Sequence, residues 1–145
     1  PGSSWPSFWR AEPGVSALLV IDETECLHLL HGSHLGRLGF TARSLPVVLP
    51  VNYVVDGTRV VFTTDSASIL AAAIASDVAC LEVDDHDDFS HTGWSVLVTG
   101  HLSELIDGEA DEVTHRVPLP SWRPMPYPHV LGLDIEMLSG RRLAP

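Results

Sequence analysis

Lysine is missing from this chain altogether: its 8 basic side chains are all arginine, set against 19 aspartates and glutamates for a formal charge of −11. That balance repels polyanions, and the arginines form no run beyond the pair Arg141 and Arg142, so neither nucleic acid nor an anionic membrane is an expected partner. Cysteine is scarce as well. Cys26 and Cys80 lie among apolar neighbours, form no C-x-x-C pair and give no disulfide framework, which predicts buried free thiols. Long hydrophobic runs are also lacking, because the longest uninterrupted one, ILAAAIA, falls far short of the ~20 residues of a spanning helix. No basic-then-apolar leader precedes the fold, and the expected location is a reducing, cytoplasmic compartment.

What is present suits one compact unit. With 145 residues, 45% of them hydrophobic, the chain can bury roughly two thirds of its unfolded surface. Residues 1–17 read as an N-terminal tail and 18–145 as a single domain. Asp22 followed by Glu25 marks a helix start, an apolar stripe follows, and Gly32 stops it, so the spacing predicts a helix over 22–31. HLGRLGFTA, LPVVLPVNYVV and TRVVFTT then read as strands, the last two joined by Asp56-Gly57, a tight-hairpin signal. A second helix is expected at about 66–76. DVACLEVDD and GWSVLVTGHLSELI give two more strands around the polar stretch DDHDDFSHT, residues 107–115 a short acidic helix, 117–128 a proline-rich arm, and HVLGLDIEML a last strand. The order predicts an α+β fold: a barrel of six or so antiparallel strands with two or three short helices, and not a βαβ nucleotide fold.

An antiparallel sheet with one wet face alternates apolar and polar residues, but PVVLPVNYVV is apolar on both faces and WSVLV nearly so. The barrel interior covers one face. A second copy of the chain is the expected cover for the other, which makes the protein a homodimer.

Several catalytic patterns fail on inspection. GWSVL begins like a nucleophile elbow but has Leu97 where the second glycine belongs, within a strand. His28, His31 and His34 straddle the expected helix end at Gly32, and DDHDD reads as a solvated acidic loop, so no metal site is expected. A more promising feature is the turn after VVFTT. There SASILAAA enters a helix through serines, where free N–H groups and the positive end of the helix dipole converge on any phosphate.

Taken in order, GRLGFT, PVVLPVNY, DGTRVVFTT, the small-residue helix, LEVD and TGWSVLVTG resemble the pyridoxamine 5′-phosphate oxidase-like, FMN-binding split-barrel family, and within it the actinobacterial branch grouped with nitroimidazole-resistance proteins. The likeness is clearest over residues 18–106, with TGWSVLVTG its most specific string. It implies that Pro50, Val51 and Asn52 run along a flavin ring, that Phe62, Thr63 and Thr64 lie beside ribityl and phosphate, and that Ser68 supplies the helix-start hydroxyl. It implies that Arg37 reaches phosphate or ring, that Trp94 and Ser95 arrive across the dimer seam, and that Trp122 and His129 lie on the substrate side.

The implied activity is flavin-dependent oxidoreduction of a small, planar organic substrate, in which the cofactor carries the redox step. Deazaflavin or haem in the same fold, or a cofactor-free dimeric scaffold, are the alternatives. One departure stands out. The family commonly carries Ser-Lys where this chain has Ser68-Ile69, and losing one charge-assisted phosphate contact costs about 1.5–3 kcal/mol, roughly tenfold to a hundredfold in affinity. The expectation is a cradle that binds phosphate weakly, with Arg37 as its replacement cation.

Overall fold

A computed structural model describes residues 18–117, 119 and 129–143. Its elements are β1 (Leu18–Ile21), α1 (Glu23–His31), β2 (Leu35–Ala42), β3 (Leu45–Asp56), β4 (Arg59–Thr64), α2 (Ala67–Ile74), β5 (Val78–Asp87), β6 (Thr92–Leu105), α3 (Asp107–Arg116), β7 (His129–Asp134) and β8 (Met137–Leu143). The expected N-terminal tail and Trp122 lie outside the described residues.

Every strand pairing is antiparallel, in the order β1-β8-β6-β5-β2-β3-β4-β7, with β7 also paired to β6. The ring β6-β5-β2-β3-β4-β7 therefore closes as the expected six-stranded barrel. β1 and β8 extend it beyond β6. The fourteen residues of β6 serve two partners on one side: Gly93–Thr99 pair with β8, and Leu102–Leu105 pair with β7. This divided partner is the split of the barrel.

Local chemistry explains most boundaries. Asp22 caps α1 by accepting a bond from the Glu25 N–H at 2.8 Å. Gly57, at φ +60, makes the β3–β4 turn that an Asp-Gly pair favours. Arg43 and Ser44 both take positive φ in the two-residue β2–β3 turn. Three expectations need adjustment. The last predicted strand is two strands, broken at Ile135–Glu136; LLVI before Asp22 is a strand of its own; and DDHD continues β5, so the acidic loop shortens to the tip of a long hairpin.

Inside the ring, Leu38, Tyr53, Val60, Phe62, Leu81, Val96, Val98, Leu131 and Leu133 are fully buried. Each such side chain contributes about 1.5–3 kcal/mol by leaving water. The helices complete this core. α1 contributes Cys26 and Leu30, and the Tyr53 hydroxyl donates to the Leu30 carbonyl at 2.7 Å. α2 contributes Ile69, Ala72 and Ala73.

Outside the ring, the two halves differ. α3 sets Val113 against Val61 and Leu105 and is tied down by Arg116 to Asp56 (2.8 Å) and by Arg59 to Glu109 (3.1 Å). The outer surface of β3, β2, β5, β6 and β8 has no such cover among the described residues.

Candidate functional site

Strand register sets the side chains of that uncovered face in rows. One row reads Pro50, Arg37, Glu82, Leu97, Ser139 across β3, β2, β5, β6 and β8. The row on one side reads Val48, Gly39, Cys80, Thr99, Met137; on the other side, Asn52 pairs with Leu35 and Ser95 lies between Asp84 and Arg141. Val48 is 64% exposed and Met137 53%.

A polar network spans three strands in the middle of the face. The Arg37 guanidinium donates to Glu82 Oε1 at 3.1 Å and to Asp84 Oδ2 at 2.5 Å, and the Ser95 hydroxyl donates to Glu82 Oε2 at 2.9 Å. Burial, and then the neighbouring Asp84, push the Glu82 carboxyl above its usual range; hydrogen bonding with Glu82, aided by the Arg37 charge, holds Asp84 below its own. Arg37 is therefore committed to two carboxylates, a poor position for a spare phosphate-binding cation.

Beside the network lies a cavity of about 480 Å³ over β5, β6 and β8. Trp94, Leu97 and Leu143 supply apolar wall, Gly93 leaves bare backbone, and Glu82, Asp84, Asp85, His86, Ser95 and Arg141 supply the polar groups. By register the Trp94 side chain turns to the face of β6 opposite Ser95 and Leu97, where it packs against the barrel core. An apolar wall with a few polar groups suits a small organic ligand.

The expected phosphate end is built differently from the sequence reading. Ser66, not Ser68, caps α2: its hydroxyl accepts from the Ile69 N–H at 3.3 Å, and its own N–H donates to Thr64 Oγ1 at 3.0 Å. Ile69 is 1% exposed, in the core. Its side chain faces the barrel interior, so position 69 is not one from which a lysine could reach a phosphate without burying its charge. Ser68 is exposed on the first turn.

Of the residues singled out from sequence, Arg37, Pro50, Asn52 and Ser95 share the outer face, whereas Val51, Phe62 and Thr64 are buried. Val51 and Phe62 can serve a ligand only through backbone. Thr63 and Thr64 end β4, and Thr64 pairs with His129, whose Nδ1 lies 2.7 Å from Glu104 Oε2. These residues stand at the β3–β4 edge, while Trp94 and Ser95 stand on β6. Between β3 and β6 lie β2 and β5, which places Pro50 and Asn52 three strand spacings, roughly 14 Å, from Ser95 across the sheet, while β4 reaches β6 only through β7, which pairs with Leu102–Leu105 at the far end of β6 from Trp94 and Ser95. One protomer does not bring them together. The sequence reading missed Glu82, Asp84, Arg141 and Ser66; the two acids were findable, because their spacing of two in LEVD puts both on one face of a strand.

The family model described as pyridoxamine 5′-phosphate oxidase matches residues 22–142. A Mycobacterium tuberculosis protein, the uncharacterized Rv0080, is 34% identical over 144 residues, 95% of this chain and 94% of its own length. Among solved structures, the FAD binding protein from Mycobacterium smegmatis is 28% identical with a TM-score of 0.69, covering 87% of this chain and 98% of that one. A conserved protein of unknown function from Corynebacterium diphtheriae is 25% identical with a TM-score of 0.74, covering 88% and 98%. A closed split barrel with one outer face left uncovered among the described residues defines the class, and the chain belongs to the pyridoxamine 5′-phosphate oxidase-like family. No helix among the described residues is long and apolar enough to cross a membrane.

Proposed function

We propose that two copies of this chain pair through the uncovered face and hold a flavin nucleotide, FMN, in the seam, for oxidoreduction of a small planar substrate. The observation that carries this reading is the separation of the two residue groups. Pro50 and Asn52 lie on the uncovered face at β3, with Thr63, Thr64 and Ser68 beyond it, and Ser95 lies on the same face at β6, so a second copy is what can set one group opposite the other.

The residues suit the ring better than the phosphate. Leu97 and Leu143 offer apolar wall, and Ser95 and Asn52 offer polar contacts to a ring edge. Toward phosphate, the chain offers the N–H groups opening α2 and the exposed Ser68 hydroxyl, without a lysine. A bound flavin would supply hydride or electron transfer; the protein's part is to orient ring and substrate and to shed water from the seam. The Mycobacterium smegmatis relative, an FAD binding protein, favours FAD as the second reading.

The test combines sedimentation with spectroscopy. Protein mixed with FMN or FAD and freed of excess is expected to sediment as a dimer and to keep the two visible bands of an oxidised flavin. A Soret band after haem addition would move the assignment to haem, and retention of a deazaflavin alone would move it there. A dimer retaining none of these is a scaffold, and a monomer at all concentrations removes the seam itself.

A further inference from the structure

The hairpin of β5 and β6 outruns its neighbours. β2 pairs with β5 only from Cys80 to Glu82, and β8 pairs with β6 only as far as Gly93, so residues 85–92 stand as an arm beyond the rest of the described sheet. The end of this arm is a built turn. The Phe89 N–H donates to Asp87 Oδ1 at 2.8 Å, the Ser90 and Thr92 hydroxyls share a hydrogen bond of 2.6 Å, and His91 takes φ +54. The turn nevertheless holds Phe89 99% exposed, more than any other large hydrophobic side chain among the described residues. Asp84, Asp85, Asp87 and Asp88 precede it. The other half of the same face has the reverse character: the chain carries 19 carboxylate side chains, and none occurs between Glu25 and Asp56. Within that interval His34 is exposed and Leu35 is 44% exposed at the start of β2.

We propose that the arm of each copy reaches across the seam and seats Phe89 on the end of β2 that carries the partner's His34 and the partner's Leu35. The inference rests on the pairing proposed above and gives that pairing a direction. Leu35 pairs with Asn52 and Asp84 with Ser95, and the Arg37–Glu82 pair two residues along sets all four level with one another. Placing Ser95 of one protomer opposite Asn52 of the partner subunit therefore calls for a two-fold axis that runs along the strands between β2 and β5. Such an axis exchanges β6 with β3 and β5 with β2, while every row keeps its level. The arm continues β5 and β6 past the row of Ser95, so it passes beyond the partner's Leu35. Phe89 and Leu35 then shield one another from water, and four aspartates meet a stretch free of carboxylates. A two-fold axis across the strands would instead lay acidic β5 on acidic β5.

Its test is made on the full chain by two measurements. In sedimentation equilibrium, Phe89→Ser is expected to raise the dimer dissociation constant roughly tenfold or more. Its circular dichroism spectrum should match the parent's, because the side chain removed stands in water in a single copy. In the second measurement the photoreactive p-benzoylphenylalanine replaces Phe89, and irradiation is expected to give a product of two chains whose cross-linked peptide maps to residues 31–37. That product identifies the contact even if the serine variant folds poorly. A dissociation constant unchanged in a folded Phe89→Ser, a cross-link confined to one chain, or a two-chain product mapping elsewhere overturns the inference while a dimeric parent keeps the seam. A parent that is monomeric at all concentrations removes the seam and the arm's role with it. Flavin retention, scored separately by absorbance, bears on the cofactor alone.

Discussion

The carbonyl oxygen of Asp134 sits so close over Gly100 that a β-carbon at residue 100 would overlap it. This contact marks the place where β6 changes partners, from β8 up to Thr99 to β7 from Leu102. The crossing is fastened by the Glu136 N–H on the Thr99 carbonyl at 3.2 Å and the Ile135 N–H on the Thr58 carbonyl at 2.9 Å.

Replacing Gly100 by alanine is therefore expected to be severe. The obstructing atom is backbone, so no side-chain rotation relieves it, and the loss should be on the order of 3–5 kcal/mol or prevent folding. Urea unfolding measures this. A variant within about 1 kcal/mol of the parent would show that the strands can part at this point without consequence.

Position 69 gives a second prediction, opposite in sense to the one family resemblance suggests. Ile69→Lys should not improve phosphate binding, since it places an ammonium in the core at a site 1% exposed and should cost at least about 2–4 kcal/mol of stability. Ser66→Ala, which removes the cap of α2, should cost about 1 kcal/mol. Thermal melts of both variants decide it; a lysine variant as stable as the parent would mean that α2 turns a different face to the barrel.

The two cysteines should differ in reactivity. Cys26 is fully buried, and burial, with Asp22, Glu25 and Glu23 nearby, pushes its thiol up to about 11. It should resist iodoacetamide at pH 8 until the chain unfolds, because the thiolate is the nucleophile. Cys80 is partly exposed on the outer face, so it should react ahead of Cys26 in the separated chain and be shielded where two copies pair through that face. Peptide mass mapping before and after denaturation reads both sites.

Asp56 links stability to pH. Hydrogen bonding from Arg116, at 2.8 and 3.2 Å, holds its carboxyl below the ordinary value of 3.8. A lowered folded pKa contributes stability above the unfolded value that is lost as pH falls through the folded one. Asp56→Asn should thus melt lower than the parent near neutrality, with the gap narrowing below pH 3.8. A gap that stays constant down to acid pH would assign the effect to packing.

Much of the architecture was legible because local signals agreed with the global fold. Asp22 before an apolar stripe, Asp56-Gly57 between two β-branched runs, and the two-faced apolarity of PVVLPVNYVV each report a physical demand met nearby in sequence. The break at Ile135–Glu136 was not legible, since apolar and polar residues alternate straight through it; it lies where Asp134 closes on Gly100, thirty-four residues away in the chain. Ile69 misled for a related reason. Its neighbours spell a phosphate-binding turn, but helix phase, which turns the third residue inward, is set by where α2 begins, and Ser66 rather than Ser68 fixes that start. The Glu82–Asp84 pair was legible as two acids on one strand face; its tie to Arg37 depends on β2 lying beside β5, a long-range pairing.

Closure of the ring has a bearing on how the protein stays dispersed. With β7 stitched back to β6, the described sheet ends at β1, four residues long and paired on one side only to β8. Leu19 and Val20 are exposed there. At that end of the sheet, edge-to-edge sticking or fibril growth is offered only a template too short to recruit much of another chain.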